Sequence, residues 1–428
     1  MRERRVGPKL SSLLTGPGES IVPPAKAEYD AARRRALLNT ACGAIAACLM
    51  LGGLSSGRGE EKDAGAAKSI MVVPEQARLE AFVKTLAAPE MEGRSGAGAR
   101  KAAALLIEEF RRLKLTPLFA NRYEQEIPAR EPGAVQGRNV GAILRGRDPK
   151  LRDQWVIVAA HFDHMGKRGN VIYPGADDNA SGVAMMLEVA RSIARAPEPP
   201  RRSLMFIGFD LEEIGLFGSR YFVAHPPVPL KQVVLFITAD MIGRSFAGVC
   251  QHEVFVMGTE HVPGLRPWID EAARDQPVKL GLLGSDVLIL NRSDYGPFRT
   301  RHIPFLFFST GENPRYHSPD DTPETLDYPK LTAISRVIHR VAASVADAAE
   351  VPHWSDAPDH PLAEAITLRD VISKLLENQK ALKLGSPSVY LMKNTLRTLE
   401  EIIHRGRVTS DERASVLQAA RLVLILIH

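Results

Sequence analysis

The sequence contains only three cysteines in 428 residues. Two of them, Cys42 and Cys48, lie in an apolar stretch near the N-terminus, so Cys250 is alone in the rest of the chain. A single cysteine excludes an intrachain disulfide framework in that part of the protein. The stability of the folded region must therefore come from packing and from any metal that it binds.

The sequence also has little excess charge outside its N-terminus. The formal net charge is +5, and residues 1–35 alone carry eight Lys or Arg against four Asp or Glu. This segment accounts for four of the five surplus positive charges. The remaining chain is close to neutral and offers no extended positive field to a phosphate backbone. We therefore expect no nucleic-acid partner.

Long hydrophobic runs are scarce, and the clearest one is residues 36–54. It follows Arg33, Arg34 and Arg35 and is followed by small and charged residues, which is the pattern of an export signal. Its length of roughly 17 to 19 apolar positions is also near the lower limit for a membrane-spanning helix. We expect an exported protein that is periplasmic, secreted or membrane-anchored through residues 36–54. Lipidation at Cys48 and a buried helix are the alternatives.

The rest of the sequence alternates short apolar runs with helical patterns. Its composition, 45% hydrophobic and 25% charged residues, is typical of a folded soluble protein. The runs are rich in Val, Ile and Phe and are bounded by Gly, Pro or charge, as buried strands are. The alternation predicts an α/β fold, a three-layer sandwich with a mostly parallel central sheet and helices on both faces. The predicted strands are NVGAILRG, DQWVIVAAHFDHMG, RRSLMFIGFDLEE, KQVVLFITADMIG, HEVFVMG and RHIPFLFFSTG.

Shifts in composition divide the chain into four parts. Thr409 and Glu412 have the spacing of a capping box at the start of the last predicted helix. We find no cluster of chemically reactive residues in the last part, and we expect it to cover or extend the α/β domain. The four parts are a leader at 1–70, the α/β domain at 71–351, a linker at 352–361 and an all-helical extension at 362–428.

Ionisable side chains are concentrated where the predicted strands end. The carboxyl ends of parallel strands are where ligands bind in α/β sheets, so we expect these side chains to lie close together. Two imidazoles and three carboxylates suit Zn²⁺ and also admit Mn²⁺ or Co²⁺. Five ligands are too many for one tetrahedral site and suit two metals that share a bridging carboxylate. The candidate ligands are His161, Asp177, Glu213, Asp240 and His317.

Three spacings suggest individual roles. Asp177 lies in a polar turn, GADDNASG, that holds more polar side chains than a helix cap requires. Asp163 follows His161 by two residues on an extended backbone, so its carboxylate is placed to hold the imidazole by its second nitrogen. The adjacent Glu212 and Glu213 suit one metal ligand and one general base with a raised pKa.

Five motifs, in this order and spacing, resemble the M28 family of zinc peptidases of the bacterial leucyl aminopeptidase type: HFD, GADDNASG, FDLEEIGLFGSRYF, ADMIGR and YHSPDDT. The resemblance covers roughly residues 75–350. It implies a peptidase that binds two zinc ions and removes residues from peptides with a free N-terminus. It also implies these roles: His161 and Asp240 hold one zinc, Glu213 and His317 hold the other, Asp177 bridges them, Glu212 is the general base and Asp163 orients His161.

One departure from the family pattern concerns a loop. Many relatives have Ser-Asp-His where this chain has Ser293, Asp294 and Tyr295. The missing histidine is not one of the five ligand positions, so we expect metal binding to survive, while substrate contacts near this loop are in question.

Of two further residues, we interpret His164 as a loop residue beyond its strand and Arg94 as a weak candidate for the cleft.

Other functions are compatible with the same residues. Carboxypeptidases and single-zinc glutaminyl cyclases share the fold and the ligands, so the preference for an aminopeptidase rests on the resemblance. A non-catalytic receptor homologue would usually have lost ligands, whereas all five positions and Glu212 are present here.

Overall fold

The computed structural model describes residues 72–285, 290–357 and 362–427. The predicted export or anchor segment at 36–54 lies outside these residues. Within the described part of the chain, no helix combines the length and apolar character needed to cross a bilayer.

The described elements alternate between strands and helices, as predicted. The strands are β1 (Thr116–Pro117), β2 (Glu124–Pro128), β3 (Val135–Leu144), β4 (Trp155–His161), β5 (Lys167–Arg168), β6 (Val171–Ile172), β7 (Ser203–Phe209), β8 (Val233–Ala239), β9 (Glu253–Met257), β10 (Lys279–Leu282) and β11 (Phe305–Ser309). The α-helices are α1 (Gln76–Leu86), α2 (Ala97–Arg112), α3 (Gly182–Ala194), α4 (Phe217–Ala224), α5 (Arg266–Ala273), α6 (Tyr295–Arg299), α7 (Tyr328–Asp347), α8 (Leu362–Glu377), α9 (Ser386–Arg405) and α10 (Ser410–Ile427).

The main sheet is mixed. Its strand order is β1-β3-β7-β4-β8-β11-β9-β10, with β2 paired to β3. The four central strands, β7, β4, β8 and β11, run parallel, whereas β3 and β9 are antiparallel to β7 and β11. Residues 129–134 join β2 to β3 and are too few for a crossover, so these two strands pair antiparallel. The predicted α/β sandwich is confirmed, and its parallel part is the centre.

Each face of the sheet carries its own apolar core. Along β4, Val156 and Val158 point to one face and Ile157 and Ala159 to the other, because side chains alternate along a strand. The first core is completed by α1, α2, α3, α5 and α7. The second is completed by α4 and α6 and by the C-terminal helices. Cys250 is buried in the second core as a free thiol.

The C-terminal helices are part of this second core. Leu368 and Leu375 of α8 belong to the same buried cluster as Phe255 of β9. The predicted capping box is confirmed, since the Thr409 N–H donates to Glu412 Oε2 at 2.9 Å and the Glu412 N–H donates to Thr409 Oγ1 at 3.3 Å. The sheet and the C-terminal helices share this core. The linker at 352–361 stays a prediction.

Candidate metal centre

The candidate site lies at the carboxyl ends of the central parallel strands. His161 is the last residue of β4, and Asp240 directly follows the neighbouring strand β8. Glu212 and Glu213 follow β7 on the other side of β4. The parallel arrangement therefore brings side chains from three strands to one edge of the sheet.

The first cluster, which we call the His161 group, consists of His161, Asp178 and Asp240. His161 Nε2 lies 3.3 Å from Asp240 Oδ1 and 3.5 Å from Asp178 Oδ1, and all three side chains are buried. Zinc bonds of about 2.0–2.2 Å in a tetrahedron put neighbouring donor atoms about 3.3–3.6 Å apart. These donor atoms are therefore spaced to hold one such ion.

The second cluster, the His317 group, contains His317, Glu213, Asp178 and His164. His317 Nε2 lies 3.1 Å from both Asp178 Oδ2 and Glu213 Oε2. His164 Nδ1 lies 2.8 Å from Glu213 Oε1 and 3.8 Å from Asp178 Oδ2. Two imidazoles thus lie against the same two carboxylates, again with nitrogen and oxygen donors that suit zinc.

Asp178 is shared between the two groups, and this corrects the choice of Asp177. Asp178 presents Oδ1 to His161 and Oδ2 to His317. Asp177 points elsewhere, because its Oδ1 accepts a hydrogen bond from the Gly243 N–H at 2.7 Å and its Oδ2 accepts one from Asn313 at 3.2 Å. Burial raises the pKa of Asp177 to about 7, against the attraction of the nearby Arg244 guanidinium. Adjacent carboxylates leave this turn in different directions, so only one of them faces the two groups.

The turn that carries Asp178 is held by an acid that the sequence analysis missed. The Asp321 carboxylate accepts hydrogen bonds from the backbone N–H of Asp177 at 2.9 Å and of Asp178 at 3.2 Å. Arg244 donates to the same carboxylate. Gly175 opens the turn with a φ of +60°, and a Cβ there would come within 2.2 Å of the Asp178 carbonyl oxygen. The second acid of YHSPDDT is the signal that could have indicated this contact.

The Arg94 side chain is fully buried behind the site. Its guanidinium donates only to backbone carbonyls in the described structure, at distances from 2.6 to 3.2 Å. The acceptors come from three separate segments of the chain. They are the carbonyl oxygens of Leu86, Phe162, Pro174, Gly175 and Asp178.

Asp163 and Glu212 lie beside the His161 group. Asp163 Oδ1 is 3.6 Å from His161 Nδ1, on the side of the ring away from Asp240. Burial raises the pKa of Glu212 well above its ordinary value, against the attraction of His161, and the neighbouring carboxylates Asp240 and Asp294 raise it further. A half-buried glutamate with a raised pKa has the property that general-base catalysis near neutral pH requires.

The loop that departs from the family pattern, residues 293–295, contacts both the His161 group and the second core. Ser293 Oγ donates to Asp240 Oδ2 at 3.1 Å, and Asp294 is buried, which raises its pKa to about 7. Tyr295 is turned into the second core, where its ring stacks on Phe305 at a centroid distance of 5.1 Å. The tyrosine that replaces the usual histidine thus serves packing.

A match to a known family accompanies this geometry. Residues 139–342 match the model of peptidase family M28. This match confirms, over these residues, the resemblance that the sequence motifs indicated. The matched region begins in β3 and ends in α7, and it contains the four central strands and every residue of the two groups.

Individual relatives agree with this match. Aminopeptidase YwaD of Bacillus subtilis is 30% identical over 201 residues, which are 45% of this chain and 41% of that protein. A glutaminyl-peptide cyclotransferase of Boiga irregularis is 29% identical over 47% of this chain and 64% of its own length. The chain thus spans between about two fifths and two thirds of these relatives. The structure of a Zn-dependent exopeptidase from Parabacteroides distasonis shares the fold, with a TM-score of 0.52 and 22% identity over 64% of this chain and 99% of that one.

Proposed function

We propose that the protein is a zinc-dependent exopeptidase, specifically an aminopeptidase that hydrolyses the N-terminal residue from peptides. The observation that carries this proposal is the position of Asp178, whose two oxygens face two separate groups of metal donors beside Glu212. The similarity to aminopeptidase YwaD supports the choice of substrate end.

Two Zn²⁺ ions are the proposed cofactor, and Mn²⁺ or Co²⁺ would suit the same donors. His161, Asp178 and Asp240 would hold one ion, and Asp178, Glu213 and His317 the other. Zinc bound in this way lowers the pKa of a water molecule and polarises a carbonyl group. Without cations, so many buried carboxylates in one place would be unfavourable.

The side chains of the protein would move the proton. In this proposal the Glu212 carboxylate accepts a proton from the attacking water and returns it to the nitrogen of the leaving amine. Asp163 positions the turn that carries Glu212 and keeps the His161 ring in place through its Nδ1. Neither step requires a residue from the C-terminal helices.

A second candidate function is supported by the glutaminyl-peptide cyclotransferase relative. Such an enzyme would cyclise an N-terminal glutamine and leave the peptide bonds intact. A carboxypeptidase would cleave at the opposite end of the peptide, and a non-catalytic homologue would do neither.

A substrate panel distinguishes these functions. The purified protein would be given aminoacyl amides with a free amine, the same amides with an acetylated amine, peptides with a free C-terminus, and peptides that begin with glutamine. Hydrolysis of the free-amine substrates only, together with about two zinc ions per chain by elemental analysis, is the expected result. Equal cleavage of acetylated substrates, or cyclisation of glutamine without hydrolysis, would contradict the aminopeptidase proposal.

We also propose that residues 36–54 direct export. A fusion of residues 1–70 to a reporter enzyme that is active only outside the cytoplasm tests this. We expect activity with the natural segment and none after Leu49 and Leu51 are both replaced by Arg. Equal reporter activity of the two fusions would contradict export through this segment.

A further inference from the structure

His164 has contacts that a surface loop residue would not have. Its side chain is buried, and its Nδ1 lies 2.8 Å from Glu213 Oε1 and 3.8 Å from Asp178 Oδ2. Its ring centroid is 5.8 Å from that of His317, across the same two carboxylates. The imidazole therefore faces the interior of the His317 group.

The other side of the ring has no hydrogen-bonding role in the described structure. His164 Nε2 is buried and has no hydrogen-bond partner. The ring is also fixed by close packing, because a Cβ at Gly175 would come within 2.5 Å of its Cδ2. The backbone N–H of His164 donates to the Arg94 carbonyl at 3.1 Å. Among the described residues, the polar contacts of this buried side chain are with two candidate ligands, so the imidazole is placed to act as a ligand itself.

The two groups differ in the number of side chains that can bind a metal. The His317 group offers four protein side chains, two imidazoles and two carboxylates, which is the number that fills a tetrahedral zinc site. The His161 group offers three, and three protein ligands with an open position are characteristic of catalytic zinc.

We infer that His164 is a fourth protein ligand of the metal in the His317 group, so that this ion is held by protein alone while the ion of the His161 group keeps a position for water and substrate. The inference rests on the proposed function in that it assumes a metal centre here. The inference goes beyond the proposed function by giving the two ions unequal coordination and therefore unequal affinity.

Metal binding by His164→Ala tests the inference without reference to catalysis. The wild type, His164→Ala and the control His225→Ala, an exposed histidine outside the site, would be dialysed against chelators of increasing strength, and retained zinc would be measured by elemental analysis. We expect His164→Ala to bind one zinc roughly 100-fold or more weakly, because even partners that only support metal ligands are worth 10- to 100-fold in affinity. His225→Ala should match the wild type.

Cobalt provides a second readout. Tetrahedral Co²⁺ absorbs visible light far more strongly than Co²⁺ with five or six ligands. The wild type loaded with Co²⁺ should show a visible band whose position and intensity change in His164→Ala, because one imidazole ligand is lost, and stay unchanged in His225→Ala. If His164→Ala fails to fold, His164→Asn, which keeps a polar side chain of smaller size, takes its place in both measurements.

The outcomes separate this inference from the proposed function. Equal zinc affinity and an unchanged cobalt spectrum in the His164 variants would overturn the inference, even in an active aminopeptidase. A wild type that binds two zinc ions but cleaves no peptide would overturn the proposed function, while the variants still decide the role of His164. If the wild type binds a single zinc, its loss in His164→Ala supports the inference and its retention overturns it. A wild type without zinc overturns both.

Discussion

Asp163 Oδ1 accepts a hydrogen bond from the backbone N–H of Glu212 at 3.0 Å. Asp163 Oδ2 accepts one from the N–H of Glu213 at 3.2 Å, and the same carboxylate lies 3.6 Å from His161 Nδ1. One buried carboxylate thus fixes the turn that carries the proposed base and restrains the ring of a proposed ligand. The backbone at Glu212 is thus held by contacts within the protein.

We therefore expect Glu212→Gln to bind metal normally and to lose activity. The amide has the same size and leaves the backbone contacts of the turn unchanged, but it cannot accept a proton from water. The expected fall in kcat is about 10²- to 10⁴-fold, the usual contribution of general acid–base catalysis. Steady-state kinetics and zinc analysis on the same preparation check this. A variant with near wild-type kcat would contradict the role of Glu212.

Asp178→Asn and Asp177→Asn form a matched pair that tests the bridging position. Asp178→Asn should lose zinc from both groups, because an amide presents only one oxygen and cannot face both. Asp177→Asn should retain zinc and lose roughly 1–3 kcal/mol in the free energy of unfolding, since one of its buried hydrogen bonds is broken. Zinc analysis and urea unfolding separate the two effects. Loss of zinc in Asp177→Asn with retention in Asp178→Asn would restore the original assignment.

Arg94→Lys should destabilise the protein although the positive charge is conserved. A lysine has three donors on one nitrogen and cannot reach carbonyls on three separate segments, so buried acceptors would lose their partners. We expect the free energy of unfolding to fall by about 3 kcal/mol or more. Urea unfolding of the variant measures this, with Arg100→Lys on the exposed side of α2 as the control. Equal losses in both variants would mean that the contacts of Arg94 are not specific.

His339 should make stability depend on pH. Burial lowers its pKa from 6.5 to about 4, and the charges of the neighbouring Arg340 and Arg191 act in the same direction. Between these values the unfolded chain binds a proton that the folded protein does not, so stability is lost as the pH falls below about 6.5. From pH 7 to pH 5 this loss amounts to about 2 kcal/mol.

The matched variant is His339→Leu, which cannot take up a proton. Urea unfolding of the wild type and the variant at pH 7 and pH 5 measures the difference in their pH dependence, so that contributions from the metal centre cancel. We expect the wild type to lose about 2 kcal/mol more than the variant on acidification. Parallel behaviour of the two proteins would contradict the prediction.

The sequence was sufficient for residues whose positions follow from the strands. His161 and Asp240 come together because their strands are parallel neighbours, and an apolar run that stops at an ionisable side chain shows where each strand ends. The alternation of strands and helices likewise predicted the layers. The strand ends and the layers can be predicted because both depend on the local order of apolar and polar residues.

Residues in turns could not be placed in the same way. Hydrogen bonds with distant segments decide which of Asp177 and Asp178 faces the two groups. The Gly243 N–H donates to the Asp177 carboxylate, and the backbone N–H groups of the turn donate to the Asp321 carboxylate. The position of His164 beyond its strand predicts an ordinary loop residue, yet a backbone hydrogen bond to Arg94 holds it at the site. No periodicity in the sequence reports such long-range contacts.

The C-terminal helices have a practical consequence for work on this protein. Glu364 accepts a hydrogen bond from the Gly284 N–H at 2.7 Å and pairs with Arg413, while Leu368 and Leu375 close the core that includes Phe255. A shortened chain that ends at residue 352 would leave this side of the sheet uncovered, and exposed apolar surface of that kind promotes aggregation. Expression trials, crystallisation and directed evolution should therefore keep the helices, even though the family match ends before them.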